Sequence, residues 1–202
     1  MAVASQMRTL GSAPPDFRLP DVEGGEVALG DLLDAPAVLV MFICNHCPYV
    51  KHVQGELVRL AEDYQRRGVA VVGISSNDVT THPDDGPEAM AEEARRVGYT
   101  FPYLYDETQE VAKAYGAACT PDFFLHGPPE TLPEGVSPGD DAPRVLVYRG
   151  QMDGSRPGND EPVTGEDLRA ALDAVLAGTS VSAEQEPSVG CSIKWRPGNE
   201  PG

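Results

Sequence analysis

Two cysteines separated by two residues are the most reactive pattern in this 202-residue chain. Cys44 and Cys47 follow an apolar run and precede a helical pattern, and His46 lies between them. Such a pair closes a disulfide when the loop brings the two Cα atoms within about 7 Å, and near a βαβ pattern it indicates redox or metal chemistry. A histidine there can stabilise a thiolate or relay a proton. We predict Cys47, Cys44 and His46 as catalytic residues; the alternative for His46 is a loop histidine with no special role.

The elements on either side of the pair predict different roles for the two thiols. An unbroken apolar run up to Ile43 predicts a strand buried on both faces of a parallel sheet, whose C-terminal end is a usual place for chemistry. A 3.6-residue apolar stripe then predicts a helix up to Gly68, with Pro48 at its first position and Cys47 as its cap. A thiolate there accepts unpaired amide hydrogens and its pKa falls. We therefore predict Cys47 as the nucleophile and Cys44 as the resolving thiol; a helix beginning at Cys44 is the alternative register.

Strands and helices alternate along the rest of the chain. A hairpin is predicted around residues 21–25, and Thr164 is predicted to cap the last helix. Residues 126–144 are rich in Pro, Gly and acidic residues and predict a mobile surface loop. Further strands are predicted at 69–74, 101–105 (an edge strand, because it contains Pro102), 123–125 and 144–149, and further helices at about 87–97, 107–115 and 165–177.

The chain is predicted to hold one domain, residues 1–178, followed by a tail, residues 179–202. The tail shows little periodicity, but it contains Cys191 and Trp195, the only tryptophan. A large aromatic residue favours burial. We therefore expect the tail to be ordered and to pack on the domain.

Composition excludes several function classes. The net charge of -17 argues against a nucleic-acid or anionic-membrane partner. Residues 1–10 do not resemble a signal peptide, and no segment approaches the ~20 apolar residues of a membrane span. We predict a cytoplasmic protein, in which thiols are kept reduced and a disulfide is transient. No cofactor is predicted.

The order of elements resembles the thioredoxin superfamily, and within it the redoxin and peroxiredoxin-like branch. The segment Ala13-Pro-Pro-Asp-Phe-Arg-Leu19 resembles the opening of that branch, and Thr120-Pro121 resembles the cis-proline element of the superfamily. More narrowly, Phe42-Ile-Cys-Asn-His-Cys-Pro-Tyr-Val-Lys-His52 and Gly190-Cys-Ser-Ile-Lys-Trp195 resemble a group of small bacterial peroxiredoxin-like proteins. Over about residues 8–178 the resemblance implies a thioredoxin fold, a mixed central sheet flanked by helices, with an N-terminal β-hairpin and an ordered C-terminal tail.

The resemblance also implies where a substrate binds. Pro121, if cis, presents the backbone of Thr120 beside the thiolate for pairing with an extended substrate chain; a trans turn proline is the alternative. Asn77 ends the neighbouring strand and can line the same cleft. We therefore predict Thr120, Pro121, Pro48 and Asn77 as substrate-binding residues.

Departures from the better-known families bear on the reaction. In thioredoxins the partner cysteine follows the first, at the place of Val50, whereas here it lies upstream, at Cys44. In peroxiredoxins a threonine or serine occupies the place of Cys44, and an arginine lies near the place of Thr120. These departures favour a thiol-disulfide oxidoreductase that acts on protein or small-molecule disulfides and is served by an unknown thiol electron donor. A peroxiredoxin-like antioxidant peroxidase acting on peroxide is the alternative.

Two further cysteines leave alternatives open. Cys119 precedes the Thr-Pro element, so it is either an additional redox cysteine or a buried small hydrophobe. Cys191 either resolves an oxidised Cys47, if the tail folds back, or only packs. A third, less favoured function is a metal site built from Cys44, Cys47 and Cys119 with His46 or His52; no metal is predicted.

Overall fold

The computed structural model describes residues 2–139 and 141–200; positions 1, 140, 201 and 202, which fall within the predicted domain and tail, lie outside the described residues. Within this part, the strands are β1 (Ala2–Ala4), β2 (Arg18–Pro20), β3 (Glu26–Ala28), β4 (Val38–Phe42), β5 (Ala70–Ser75), β6 (Tyr103–Tyr105), β7 (Cys119–Thr120), β8 (Asp122–Gly127), β9 (Val145–Gly150) and β10 (Val189–Ser192). The α-helices are α1 (Pro48–Gln65), α2 (Pro87–Val97), α3 (Glu110–Tyr115) and α4 (Glu166–Ala177).

A five-stranded mixed sheet in the order β6-β5-β4-β8-β9 forms the centre of the protein. β4 lies parallel to β5, with Val40 opposite Val72, and antiparallel to β8, with Val40 opposite Phe124. All five residues of β4 are buried, as the unbroken apolar run predicts. β6 takes the predicted edge position, where Pro102 costs no ladder hydrogen bond. The predicted mixed α/β class is confirmed.

The core lies in two layers, because alternate residues of β4 point to opposite faces. Leu39 and Met41 pack with the apolar stripes of α1, α2 and α4. Val38, Val40 and Phe42 pack on the other face with α3 and β2. Within the part of the chain that is described, no helix has the length and apolar character needed to cross a membrane.

Both ends of the described chain join a second, smaller sheet. Its order is β1-β10-β7, and all its pairings are antiparallel. The C-terminal tail is therefore held on two edges, with Cys191 opposite Ala2 on one side and opposite Thr120 on the other. The sequence predicted an ordered tail but not that β1 would cover it. The predicted hairpin is also present, as β2 paired with β3.

Three local predictions are wrong in detail. The first part of the predicted loop 126–144 is packed: Leu132 is buried, and the Thr131 carbonyl accepts a hydrogen bond from the Val181 amide. From residue 134 onward most of its described residues are exposed, as a surface loop requires. The helix predicted from residue 107 begins at Glu110. The cap of α4 is Gly165, whose φ of 68° favours glycine.

We expect the apolar face of α1 to carry the stability of the helix that presents Cys47. Leu57 is almost fully buried there, so Leu57→Ala should lower the free energy of unfolding by about 2–5 kcal/mol. Glu62→Ala, on the exposed face of the same helix, should stay within about 0.5 kcal/mol of the wild type. Urea denaturation measures both; equal losses would contradict this packing.

Candidate functional site

The loop between β4 and α1 carries the two cysteines of the motif. The Ile43 amide donates to the Ile74 carbonyl (3.0 Å), which fixes the start of the loop on β5. Helix α1 begins at Pro48, and Cys47 is its N-cap residue with extended backbone angles. The Lys51 amide donates the first helical hydrogen bond to the Cys47 carbonyl. Cys47 thus lies where orphaned helix amides stabilise an anion.

Thr120 contacts both sulfur atoms. The Cys47 Sγ is 3.2 Å from the Thr120 carbonyl oxygen, and the Cys44 Sγ is 3.3 Å from the Thr120 Oγ1. The Thr120–Pro121 peptide bond is cis. Both cysteines are buried, with exposed fractions of 0% for Cys47 and 2% for Cys44. The structure therefore brings the Cys-x-x-Cys pair and the Thr-Pro element into one site.

The pKa values of the two thiols are shifted in opposite directions. The pKa of Cys47 is lowered to about 4, first because the Cys44 thiol donates a hydrogen bond to its thiolate. The Thr120 hydroxyl, the Val50 amide and the Cys191 thiol lower the pKa further, while burial opposes them. The pKa of Cys44 is raised by that same hydrogen bond, by burial and by the negative charge of Asp85. One thiolate beside one thiol is the combination that disulfide exchange requires.

Asp85 is a site residue that sequence reasoning missed. Its buried carboxylate accepts hydrogen bonds from the backbone amides of Asn45 (2.8 Å) and His46 (3.2 Å) and from the Asn77 side chain (2.8 Å). It also pairs with the His46 Nδ1. It lies in an acidic, turn-rich segment, and nothing local distinguishes it from its neighbours.

Two histidines lie at the edge of the site. The His46 Nδ1 is 3.9 Å from the Cys44 Sγ, and the His46 side chain is 25% exposed. The His82 ring stacks on it, with 4.7 Å between ring centroids. Burial lowers the pKa of His82, and a charge on His46 lowers it further. His82 also escaped the sequence analysis, because its own segment contains no motif.

The remaining cysteines differ in position. Cys191 lies opposite Thr120 in the pairing of β10 with β7, and burial, followed by its interaction with Cys47, raises the pKa of Cys191 to about 11. The tail therefore folds back over the site, in line with the redox alternative for Cys191. Cys119 is fully buried, and burial raises its pKa strongly. Its Sγ lies near the carbonyls of Pro121 and Ser188, so its surroundings are those of a packed core thiol.

The side chains of Asn77 and His52 both form hydrogen bonds to other residues of the protein. Asn77 is buried, and its Oδ1 accepts from the Lys194 amide (2.8 Å) while its Nδ2 binds Asp85. Its amide group therefore holds the site together and does not line an open cleft. His52 is half-buried, and its Nε2 lies 2.7 Å from the Ser155 Oγ, within hydrogen-bond distance.

Three potential metal-binding atoms gather at the site. Atoms of Cys44, His46 and Asp85 lie within 4.8 Å of one another. Among the described residues this set leaves out Cys47, Cys119 and His52, which the metal hypothesis included. Structural zinc sites use four protein ligands, and the Asp85 carboxylate is already occupied by amide hydrogens. The expectation of no metal stays a prediction.

Solved structures show which fold the chain shares. A structure of an uncharacterized conserved protein from Geobacillus kaustophilus matches with a TM-score of 0.87 and 55% identity, over 98% of this chain and 97% of that chain. A thiol:disulfide interchange protein of the thioredoxin family from Chlorobium tepidum matches with a TM-score of 0.54 and 16% identity, over 82% of this chain and 96% of that chain. The second match shows that the fold is the thioredoxin fold.

Curated relatives include both disulfide oxidoreductases and peroxiredoxins. Thiol-disulfide oxidoreductase ResA from Geobacillus thermodenitrificans is 32% identical over 116 residues, which are 57% of this chain and 62% of that protein. Peroxiredoxin Q from Triticum aestivum is 31% identical over 106 residues, 52% of this chain and 45% of that protein. The chain thus spans less than two thirds of the length of these two relatives. The AhpC/TSA family matches residues 10–134, more than half of the chain, and with its thioredoxin fold and its cysteine pair this protein belongs to the AhpC/TSA family of redox proteins.

Proposed function

We propose that this protein is a thiol-disulfide oxidoreductase in which Cys47 is the nucleophile and Cys44 the resolving thiol. The supporting observation is the geometry of the two thiols, which both contact Thr120 beside the N-terminus of α1. Their interaction lowers the pKa of Cys47 and raises the pKa of Cys44. Strongly shifted pKa values at adjacent nucleophiles are typical of active sites. The sulfur that attacks is then ionised at neutral pH, while its partner keeps its proton until the second step.

In the first step, the Cys47 thiolate attacks one sulfur of a substrate disulfide. A bond forms between the Cys47 Sγ and that sulfur, the substrate S–S bond breaks, and the departing sulfur leaves as a thiolate that takes up a proton. Cys47 is now neutral in a mixed disulfide. The largest cause that raised the pKa of Cys44, its interaction with an anionic Cys47, is now gone, and the pKa of Cys44 falls.

In the second step, Cys44 loses its proton and attacks the Cys47 Sγ. The Cys44–Cys47 disulfide forms, and the second substrate sulfur leaves as a thiolate. The closest titratable pair is His46–Asp85, with the His46 Nδ1 3.9 Å from the Cys44 Sγ. We assign proton acceptance from Cys44 to the His46 imidazole, which its contact with the Asp85 carboxylate holds in place. An external thiol donor then returns the protein to the dithiol state.

The other predicted site residues serve the two steps differently. Thr120 contacts both sulfur atoms, and Pro121 fixes the strand that follows. Pro48 is exposed at the start of α1, so it lies where a substrate approaches Cys47. We assign Asn77 a positioning role in place of direct substrate contact, because both ends of its amide bind within the protein. The cytoplasmic location and the identity of the electron donor stay predictions from the sequence.

A peroxiredoxin-like peroxidase is the second candidate function. The AhpC/TSA match and the peroxiredoxin relative favour it. The Cys47 thiolate would attack one oxygen of a peroxide, giving a sulfenic acid at Cys47 and releasing water or alcohol. A neighbouring thiol would then condense with it and release water. The sequence has no arginine next to Thr120, so the peroxide would lack that polarising charge.

Cysteine substitutions separate the two steps. We expect Cys47→Ser to abolish the reaction with 2-hydroxyethyl disulfide, and Cys44→Ser to stop at the mixed disulfide on Cys47. Cys119→Ala is the matched control and should keep the wild-type rate to within about threefold, because Cys119 lies outside the reacting pair. Acid quenching and mass spectrometry of the reduced proteins show which species accumulate. Unchanged reaction in Cys47→Ser would rule out this function.

The pH dependence follows from the lowered pKa of Cys47. Its thiolate absorbance should persist down to about pH 5, compared with the usual cysteine pKa of about 8.5. Cys44→Ala should move the midpoint upward because it removes the largest cause of the lowered pKa.

The lowered pKa of Cys47 also makes the stability of the fold depend on pH. Because the folded pKa is the lower one, the thiolate stabilises the fold fully above about pH 8.5, and this contribution is lost as the pH falls to about 4. Denaturation of wild type and Cys47→Ser across this range measures it. A thiolate midpoint near that of an ordinary cysteine would contradict the assignment.

For the second candidate, dilute hydrogen peroxide is the probe. A peroxidase should form a sulfenic acid or a disulfide at Cys47 stoichiometrically within seconds, detectable by trapping with dimedone and mass spectrometry. Cys47→Ser should show neither product. Oxidation spread evenly over the cysteines, or no faster than that of a free thiol, would exclude this function.

A further inference from the structure

The backbone edge beside Cys47 is already paired with the protein's own chain. β10 lies antiparallel to β7, with Cys191 opposite Thr120 and Ser192 opposite Cys119. The Ile193 amide donates to the Ala118 carbonyl (3.0 Å) and extends the pairing. Polypeptide substrates that bind by strand addition need free main-chain groups at a sheet edge. At Thr120, β10 occupies that edge.

The contact between β10 and the Thr-Pro element is close. A Cβ added at Gly190 would lie 2.0 Å from the Thr120 carbonyl oxygen and 3.2 Å from the Pro121 nitrogen. Only glycine lets the two backbones approach in this way. The strand is therefore seated directly on the residues that surround the Cys47 sulfur.

β10 also presents a thiol at the position that an incoming substrate would use. Cys191 is the residue opposite Thr120, and the Thr120 carbonyl oxygen lies 3.2 Å from the Cys47 Sγ. A cysteine of any other chain paired at this edge would have to take the same place. β10 thus has the position of a docked substrate strand.

The outer edge of β1 lies too far from Cys47 to replace the edge of β7 as a binding place for a substrate strand. β1 covers the outer edge of β10, with Ala2 opposite Cys191. A chain paired on the outside of β1 would lie three strand spacings from Thr120, roughly 14 Å. A disulfide on that chain would not reach Cys47.

Several tethers outside the strand hold the tail in place. The Gln109 side chain donates to the Lys194 carbonyl (2.8 Å) and accepts from the Arg196 amide (2.9 Å). The Lys194 amide binds Asn77, and the Ser5 amide donates to the Ser188 carbonyl. By contrast, His46, at the mouth of the site, is partly exposed. Cys47 itself is buried, so a small disulfide reaches it only after neighbouring side chains move, whereas an extended chain also needs β10 to leave the edge of β7.

We propose that β10 is a specificity element that reserves Cys47 for low-molecular-weight disulfides and excludes extended polypeptide disulfides. The proposal rests on the disulfide-exchange function proposed above. Gly190 is its key residue, because the absence of a side chain there seats the strand on Thr120.

Two disulfide probes test the proposal on the intact chain. Single-turnover rates of the reduced wild type should be at least about a hundredfold higher with 2-hydroxyethyl disulfide than with insulin, a difference of about 2.7 kcal/mol in activation free energy. Gly190→Ala should displace β10 and raise the insulin-to-small-disulfide rate ratio at least about tenfold. Gly30→Ala is the matched control, since an added Cβ there meets nothing within 4 Å.

Trp195, the only tryptophan, reports whether the tail has moved. Its fluorescence should shift to the red in Gly190→Ala and stay unchanged in Gly30→Ala. Gln109→Ala, which removes three hydrogen bonds to the tail, is the second variant if Gly190→Ala does not fold, and it should raise the same ratio.

Each outcome decides the proposal. Equal wild-type rates with the two probes, or a red shift in a folded variant with an unchanged rate ratio, overturns it and leaves the oxidoreductase function standing. If the wild type reacts with neither probe, the oxidoreductase function fails and this proposal fails with it.

Discussion

The buried carboxylate of Asp85 is the constraint on which the site depends. It gathers the amides of Asn45 and His46, the His46 ring and the Asn77 side chain. An anion removed from water at this depth is tolerated only when several donors surround it. The loop between β4 and α1 supplies those donors, so its conformation is tied to the Asp85 turn and to the end of β5. Through Asn77 the same network reaches the Lys194 amide and thus the tail.

This network also explains why the two cysteines differ. Cys47 lies at the N-terminus of α1, where amide hydrogens and the helix dipole favour an anion. Cys44 lies nearer to the negative charge of Asp85, which raises its pKa. The largest cause of both pKa shifts is the interaction between the two thiols, which favours one thiolate beside one thiol. The difference arises from position in the fold, since the two side chains are identical.

The second sheet determines what can reach this pair. β7 carries Thr120, which contacts both sulfur atoms, and β10 covers the free edge of β7 with Cys191 facing Cys47. In the described chain a strand distant in sequence therefore covers the site. Which substrates reach the cysteines then depends on whether that strand moves away. The thioredoxin fold fixes the position of the reactive sulfur, while the tail controls access to it.

Much of the fold follows from short-range pattern. The unbroken apolar run of β4 favours burial on both faces, and proline is accepted only in the first turn of a helix, so the sequence by itself determined a strand, a turn with two cysteines and a helix. It also determined the order of elements from which the mixed sheet follows. The boundaries of α3 and α4 were less certain, because Gln109 and Gly165 take left-handed backbone angles that the local pattern does not reveal.

Only the tertiary structure decided the surroundings of the cysteines. Asp85 is 38 residues or more from either cysteine, and Cys191 is more than 140 residues from Cys47, so no spacing rule joins them. Their effects act through space, by charge and hydrogen bonding over a few ångströms, and these distances exist only after the chain has folded. The sequence determined which residue types were available and on which elements they lie. The fold decided which thiol ionises, which carboxylate faces it and which strand covers it.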